Sequence, residues 1–335
     1  MVTKISPVSA VSVAEAAELI RRGEVVGIPT ETVYGLGGNA FDGEAVKKIF
    51  EVKGRPADNP LIAHVHTEYD LSKIVDYDPP IAQKLREAFL PGPLTLVYPS
   101  TGKVSPYVSC GLDTLAVRVP SHDGAQKLLK ELDLPVVAPS ANLSRHVSPT
   151  SAQHVYDDFA GKIPLILDGG ECLGGIESTV CDVTGEIPVI LRPGLITREM
   201  IARVCGDCAV YAAEAKAGEK VKSPGVLYKH YSPRCETALA QTVAEAQTLC
   251  ERAVKEEKRV GVLCESRYTG CFSGVQTFDL GVTAEDMATR LYKLLREAEE
   301  RLDLLVAVCP SETDGVMAGV LNRLKKAFAS KDIPH

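Results

Sequence analysis

Two short stretches carry basic and amide side chains that could bind the phosphates of a nucleotide. In KGRPADNP (53–60), Lys53 and Arg55 lie two positions apart after a predicted helix, and Asn59 precedes a proline. Because Pro56 favours extended backbone at Arg55, both cations are predicted to point to one side. Two such cations suit a polyphosphate, since arginine can fork across two oxygens, whereas an isolated Lys-x-Arg pair is commonly only solvated.

The second stretch, APSANLSRHVSPT (138–150), follows a predicted buried strand and supplies Ser140, Asn142 and Ser148. Ligands of α/β proteins bind beyond the carboxyl ends of strands. Hydroxyl and amide groups at this position therefore favour a ligand site, and an ordinary serine-rich loop is the alternative.

The stretch IPTETVYGLG (28–37) ends an apolar strand in a loop with hydroxyls at Thr30 and Thr32 and two glycines. It is not a phosphate-binding Walker loop, because no Gly-Lys-Ser/Thr follows, and it is not GxGxxG either. Hydroxyl and backbone N–H groups here could face a small polar ligand. A plain strand-to-helix turn is the alternative.

A lone arginine interrupts the apolar strand DTLAVRVP (113–120). Alternation with a period of two places Thr114, Ala116 and Arg118 on one face. Such an arginine is either paired structurally or directed at an anion, for which a carboxylate ligand is a natural partner. His64 also lies in a predicted strand, where a core histidine with satisfied hydrogen bonds is the commoner case.

A glycine-rich stretch, DGGECLGGIESTV (168–180), would let backbone approach a ligand closely. Ser178 and Thr179 open the next predicted strand, and Arg192 ends the strand after it. These groups extend the set of polar side chains at strand ends.

The composition indicates a globular protein of about two domains. The chain has 335 residues, 45% of them hydrophobic and 24% charged, with a net charge of −7. That charge argues against a positive field over the whole molecule, but not against a local basic site. No apolar run reaches the ~18 residues of a membrane span and the first residues lack the apolar core of a signal peptide, so a cytoplasmic location without membrane attachment is expected. The ten cysteines lack regular spacing, which favours reduced thiols.

Strand and helix signals alternate over residues 1–204, which predicts a large mixed sheet with helices. Helices are predicted at 14–23 and 44–54, and strands at 24–30, 60–65, 94–99, 114–120, 135–140, 164–168, 178–183 and 188–194. Residues 205–235 have little apolar periodicity and are interpreted as a linker. A cleaner alternation over residues 236–335 predicts a smaller doubly wound α/β domain.

The motifs together resemble one family. PTETVYGLG, KGRPADNPL, TLAVRVP, PSANLS and GGIESTV with LRPG occur in an order and at spacings similar to those of the YrdC-like family, the L-threonylcarbamoyladenylate synthases. SPGVLYKHYSP (223–233) resembles the linker of the two-domain members, although Val226 and Leu227 depart from the family's frequent methionine and basic residue. The resemblance covers nearly the whole chain. It implies an open twisted α/β sheet with a deep positive cavity (1–204), a linker (205–235) and a C-terminal Rossmann-like domain (236–335).

The resemblance also implies an activity: formation of threonylcarbamoyl-AMP and pyrophosphate from L-threonine, bicarbonate and ATP, with Mg2+. The product would pass to the machinery that modifies the adenosine beside the anticodon in tRNAs reading ANN codons, and a weak contact with RNA is allowed for. The positions matching those that hold L-threonine are Thr32, His64, Arg118, Ala138 and Ser178. The positions matching those that hold ATP are Arg55, Asn59, Thr114, Ser140, Asn142, Ser148, Arg192 and Tyr231.

The residue types suit this reaction. An anionic threonine carbamate must attack the α-phosphate, and cations offset the repulsion and stabilise the departing pyrophosphate. Lys53 and Arg55 are predicted to be catalytic, and Arg192 can supply positive charge in the same way, with Mg2+ bridging phosphates. Neither a side-chain nucleophile nor a protein-held metal is expected. Residues 220–235 are predicted to close over the cavity as a lid, with Tyr231 reaching the nucleotide phosphates.

Other functions stay open from the sequence. One alternative is that a concave basic sheet binds an RNA helix. The negative net charge weakens this alternative, whereas salt-dependent RNA binding without ATP turnover would favour it. A carbamoyltransferase of hydrogenase maturation also contains a YrdC-like domain, but it predicts zinc-finger and acylphosphatase-like companions that the sequence lacks. A purely structural role fits least with the convergent polar groups.

Overall fold

The computed structural model describes residues 1–57, 59–211 and 231–329. These residues form two compact units. One contains residues 1–144 and 148–211, and the other contains residues 145–147 and 231–329. Each unit is built on its own β-sheet.

The first unit contains a mixed sheet with helices. Its strands are β1 (Lys4–Pro7), β2 (Val26–Ile28), β3 (Gly35–Asn39), β4 (Ile62–His64), β5 (Leu94–Pro99), β6 (Thr114–Arg118), β7 (Val136–Val137), β8 (Leu165–Asp168), β9 (Thr179–Asp182), β10 (Val189–Arg192) and β11 (Ala209–Val210). Its helices are α1 (Ala10–Arg21), α2 (Gly43–Lys53), α3 (Pro80–Phe89), α4 (Pro106–Ser109), α5 (Asp123–Leu132), α6 (Ala152–Phe159) and α7 (Arg198–Cys205). Across the sheet the strands lie in the order β1-β8-β2-β3-β7-β4-β6-β5-β9-β10-β11. This architecture confirms the predicted mixed α/β sheet.

The side chains of β6 alternate between two faces of the sheet, and only one of these faces packs into the main hydrophobic core. Along β6, Leu115 and Val117 pack in the main core with residues of α2, α3 and α6. Ala116 instead belongs to a small apolar cluster with residues of β4, β5 and β9. Arg118 shares the parity of Ala116, so it lies on the face that does not pack into the main core.

The glycines of the YGLGG stretch lie in a strand and not in a ligand-binding loop, which corrects the prediction. β3 runs antiparallel to β2 on one side and to β7 on the other. A Cβ atom added at Gly35 would lie 2.9 Å from the Cβ of Ala138, and one at Gly37 would lie 3.2 Å from Cγ1 of Val136. The glycines are needed because other side chains approach the β3 backbone closely.

Two boundaries also differ from the prediction. α1 begins at Ala10, earlier than the predicted start at 14, because Ser9 and Ser12 form a capping box that starts the helix. Residues 205–211 of the predicted linker belong to the first unit, where β11 pairs with β10. Residues 212–230, which hold most of the predicted linker and lid, lie outside the described residues.

The second unit is a smaller parallel α/β sheet. Its elements are β12 (Glu236–Ala240), α8 (Val243–Lys255), β13 (Val260–Cys264), β14 (Gln276–Asp279), α9 (Ala284–Arg301), β15 (Leu304–Val308) and α10 (Val316–Ala327). The strands lie in the order β12-β15-β13-β14, and each pair is parallel. The predicted smaller α/β domain is therefore confirmed. No helix of the described residues is long and apolar enough to cross a membrane.

The packing of β3 can be tested by adding one methyl group. Gly35→Ala is expected to destabilise the protein by about 1–3 kcal/mol, because the new Cβ would overpack the contact with Ala138. Gly185→Ala is the control, since its Cβ would lie 3.9 Å from the nearest atom, the carbonyl oxygen of Ile187. Urea unfolding measures both variants. Equal stability of the two variants would contradict the packing argument.

Candidate active site

Three polar side chains form a row across adjacent strands on the face that lies away from the main core. His64 of β4 is the register partner of Arg118 in β6, and Arg118 is the register partner of Thr95 in β5. Register partners project to the same side of a sheet. The structure therefore brings together His64 and Arg118, which the sequence predicted, and adds Thr95, which it did not.

The guanidinium of Arg118 is buried and held by three acceptors. Nε donates to the carbonyl oxygen of Gly92 at 3.3 Å, Nη1 to Oγ1 of Thr32 at 2.8 Å, and Nη2 to Oε1 of Glu31 at 2.7 Å. An arginine has five N–H groups. Two of them, one on each terminal nitrogen, have no hydrogen-bond partner among the described residues. The arginine is thus oriented by the protein and still able to receive an anion.

Glu31 is the carboxylate partner that the sequence analysis missed. Although burial acts to raise its pKa, the adjacent Arg118 cation keeps the pKa of Glu31 below its ordinary value. Thr32 is fixed in the same turn, because its hydroxyl lies 2.9 Å from Oγ1 of Thr30 and the Thr30 hydroxyl donates to the Val33 carbonyl at 2.6 Å. The TET turn therefore positions one side of Arg118.

His64 is a neutral group in this site. Burial and the neighbouring Arg118 cation lower its pKa to about 3. Its Nδ1 lies 3.2 Å from the carbonyl oxygen of Ile62, so Nδ1 carries the proton if this contact is a hydrogen bond. Nε2 would then be a hydrogen-bond acceptor beside the arginine.

Ser178 connects this row to a second arginine. Its hydroxyl oxygen lies 2.8 Å from Oγ1 of Thr95. Arg192 donates to the Ser178 carbonyl oxygen from Nε at 3.2 Å and from Nη2 at 3.0 Å, and Nη2 also donates to the Ser178 hydroxyl at 3.2 Å. A residue predicted to bind threonine and a residue predicted to bind ATP are therefore in direct contact.

Lys53 is bonded to backbone in this structure. Its ammonium donates to the carbonyl oxygens of Ser140 and, at 2.5 Å, Asn142. Burial, together with the Arg55 cation, holds the pKa of Lys53 well below its usual range. The predicted continuous extended stretch from Lys53 to Arg55 is wrong, because Lys53 is the last residue of α2 and Gly54 has a φ of 60°. Lys53 instead ties α2 to the Ser140–Asn142 turn.

The other predicted nucleotide residues lie around this turn and the following loop. Arg55 donates to the carbonyl oxygen of Asn59 at 3.0 Å, and Oδ1 of Asn59 is buried without a hydrogen-bond partner among the described residues. Ser148 donates to Oε1 of Glu177 at 2.6 Å. Glu177 is thus another carboxylate that the sequence analysis missed, although it immediately precedes Ser178 in the glycine-rich stretch.

Three more residues that were predicted to bind threonine or ATP are found in different parts of the structure. Ala138 is buried just after β7, and Thr114 is buried at the start of β6 on the Arg118 face. Tyr231 lies in the second unit, where its ring centroid is 5.2 Å from that of Tyr292. Its predicted contact with the nucleotide stays a prediction. Among the described side chains, no three His, Cys, Asp or Glu residues are grouped so that they could hold a metal ion.

Comparison with known protein families matches both parts of the chain. A family model named for Sua5, YciO and YrdC, and described as "Telomere recombination", matches residues 18–194. A second model, described as "Threonylcarbamoyl-AMP synthase, C-terminal domain", matches residues 196–329. Threonylcarbamoyl-AMP synthase of Pyrococcus abyssi (strain GE5 / Orsay) is 44% identical over 319 residues, which cover 93% of this chain and 92% of the relative. The Bacillus subtilis (strain 168) protein of the same name is 43% identical over 326 residues, which cover 96% of this chain and 94% of the relative.

Solved structures give the same relationship. The crystal structure of P. abyssi Sua5 complexed with L-threonine superposes with a TM-score of 0.90 at 42% identity, covering 98% of this chain and 97% of that chain. Escherichia coli YciO superposes with a TM-score of 0.51 at 26% identity, covering 58% of this chain and 94% of that chain. The likeness to Sua5 thus extends over both units, and the likeness to YciO covers a smaller part of the chain.

The neutral state of His64 can be tested by titration. An unfolded histidine has a pKa near 6.5, so between about pH 6.5 and pH 3 the unfolded state binds the extra proton and the free energy of unfolding falls as the pH falls. In the folded protein, the NMR signal of the His64 ring should stay unchanged from pH 8 to pH 5. The same ring in the urea-unfolded protein is the control and should titrate near pH 6.5. A folded-state midpoint between pH 6 and pH 7 would contradict the assignment.

Proposed function

The chain belongs to the YrdC-like family of threonylcarbamoyl-AMP synthases, and we propose that it makes threonylcarbamoyl-AMP and pyrophosphate from L-threonine, bicarbonate and ATP. The class of enzyme, an ATP-using transferase, follows from three relatives that bear this name and are 44%, 43% and 37% identical over most of the chain. The choice of substrates and the roles of single residues are our proposal.

The observation that carries the proposal is the orientation of Arg118. Its guanidinium is fixed by Thr32 and Glu31 and keeps two N–H groups available, in a row with His64 and Thr95. The α-carboxylate of an amino acid suits those two N–H groups, because arginine and carboxylate form paired hydrogen bonds. The complex of P. abyssi Sua5 with L-threonine supports threonine as that amino acid.

The proposed reaction has two steps. The threonine amine combines with bicarbonate, releasing water, to give an anionic carbamate. A carbamate oxygen then bonds to the α-phosphorus of ATP, while the bond to the bridging oxygen breaks and pyrophosphate leaves. No side-chain nucleophile takes part in either step.

The basic residues offset the repulsion between the carbamate and the triphosphate. Arg192 contacts Ser178, so it would lie beside the bound amino acid, where it can stabilise charge on the α-phosphate. Arg55 lies beside Asn59 and would bind the outer phosphates. Lys53 would add positive charge in its protonated form, and it fixes the Ser140–Asn142 turn by bonding to the turn's backbone carbonyls. ATP would enter as its Mg2+ complex, with the ion held mainly by phosphate oxygens.

The rest of the predicted role is also part of the proposal. The product would be passed to the machinery that modifies the adenosine beside the anticodon in tRNAs reading ANN codons, in the cytoplasm. Residues 220–235 would act as a lid, with Tyr231 near the phosphates. Protection of that segment from hydrogen exchange by ATP and threonine would support the lid.

The reaction can be tested by omission of substrates. The purified chain with MgATP, L-threonine and bicarbonate is expected to form threonylcarbamoyl-AMP and to release pyrophosphate in equal amounts, because the carbamate is the attacking group. Leaving out any one substrate should stop both products, and D-threonine serves as a matched control. Pyrophosphate released at the same rate without threonine or bicarbonate would refute the proposal.

The role of Arg118 can be tested with a variant that keeps the buried charge. Arg118→Lys should weaken L-threonine binding by roughly 1.5–3 kcal/mol in calorimetry, because lysine cannot reproduce the paired donors. Arg86→Lys is the control, since Arg86 of α3 forms a partly buried ion pair with Asp78 and has no proposed role in the reaction. Unchanged threonine affinity in a folded Arg118→Lys protein would contradict the assignment.

A further inference from the structure

The Thr95 and Ser178 hydroxyls form a buried pair that keeps one unused proton. Both side chains are fully or almost fully buried, and their oxygens lie 2.8 Å apart. Each hydroxyl has one proton and can donate once. Only one of the two protons can lie between the two oxygens, and no other described residue accepts a hydrogen bond from either hydroxyl. The pair therefore has one O–H group left for a ligand.

The contact with Arg192 helps to determine which kind of ligand group the unused O–H group can bind. Arg192 can only donate, and it already occupies a lone pair of the Ser178 hydroxyl through Nη2. Thr95 is also the register partner of Arg118, which keeps two free N–H groups. Arg118 and the hydroxyl pair thus lie next to each other on the same face of the sheet. An oxyanion is the group that these donors suit.

We propose that Thr95 is a positioning residue for the threonine substrate, which holds the Ser178 hydroxyl so that the pair donates to an anionic oxygen of threonine or its carbamate. This inference rests on the proposed function. A carboxylate or carbamate oxygen would accept a hydrogen bond from the remaining O–H group of the pair, while the Arg118 cation binds the same anion.

The same contacts link threonine to the nucleotide. Arg192 holds the Ser178 carbonyl and hydroxyl together, so a phosphate that orders Arg192 also orders the donor pair. Ordering that is already complete costs the second ligand less free energy. Each substrate should therefore raise the affinity of the other, and by the same factor, because binding linkage is reciprocal.

The test removes one hydroxyl without changing the side-chain shape. Calorimetry measures the L-threonine affinity of Thr95→Val with and without α,β-methylene-ATP, which cannot release pyrophosphate. The affinity is expected to fall about tenfold or more, as for a lost hydrogen bond to a charged group, and the gain caused by the nucleotide analogue should shrink towards none. In turnover, the variant should raise the KM for threonine more than it lowers kcat at saturating threonine.

Two matched variants separate this role from a loss of stability. Thr95→Ser restores the hydroxyl and should recover most of the affinity and of the coupling. Thr3→Val removes a buried threonine hydroxyl, beside the edge strand β1, that donates to the Ile163 carbonyl at 2.5 Å, and it should leave threonine binding unchanged. Thr95→Ala provides a second deletion if the valine variant does not fold.

The outcomes distinguish this inference from the proposed function. If the unaltered protein binds threonine but Thr95→Val binds it equally well with the same coupling, the role of Thr95 is refuted and the proposed function stands. A Thr95→Ser protein as weak as Thr95→Val would also refute it, because the hydroxyl would not be the cause. If the unaltered protein does not bind threonine, the proposed function itself fails.

Discussion

A buried guanidinium needs acceptors around it, and the site is organised by how the fold supplies them to Arg118. Burial of an unpaired charge would cost several kcal/mol, so the arginine must be partnered before any substrate arrives. The TET turn and the Gly92 carbonyl supply three acceptors and leave two N–H groups without a partner among the described residues. The pairing of β4, β6 and β5 then puts His64 and Thr95 beside it. The site is thus oriented in advance, which lowers the cost of binding a small anion.

Two other basic side chains, Lys53 and Arg192, are also held by hydrogen-bond acceptors, which here are backbone carbonyls. Lys53 bonds to carbonyls of the Ser140–Asn142 turn, and Arg192 bonds to the Ser178 carbonyl. Carbonyl oxygens accept hydrogen bonds from these groups without contributing a negative charge. A chain with a net charge of −7 can therefore keep local positive charge where phosphates are proposed to bind.

The sequence predicted the parts that depend on local pattern. Alternating strand and helix signals predicted both α/β sheets, and the motifs named Thr32, His64 and Ser178 among the polar groups of the site. It missed Thr95, because LTLVYP resembles any buried strand and the register with β6 is not visible locally. Glu31 was missed because its partner lies far along the chain, and the glycines of β3 were misread because their packing against β7 is tertiary. Sequence patterns thus identify elements and candidate groups, whereas pairing across strands has to come from the fold.

The most direct test of this account is a crystal structure of the chain with L-threonine and α,β-methylene-ATP. The account predicts that the threonine carboxylate bonds to the two N–H groups of Arg118 that the protein leaves unused, with the contacts to Thr32 and Glu31 retained. It also predicts that Arg192 bonds to the nucleotide while still contacting Ser178. Threonine bound elsewhere, or a guanidinium that has left Glu31 and Thr32 to reach it, would contradict the claim that the fold orients Arg118 in advance.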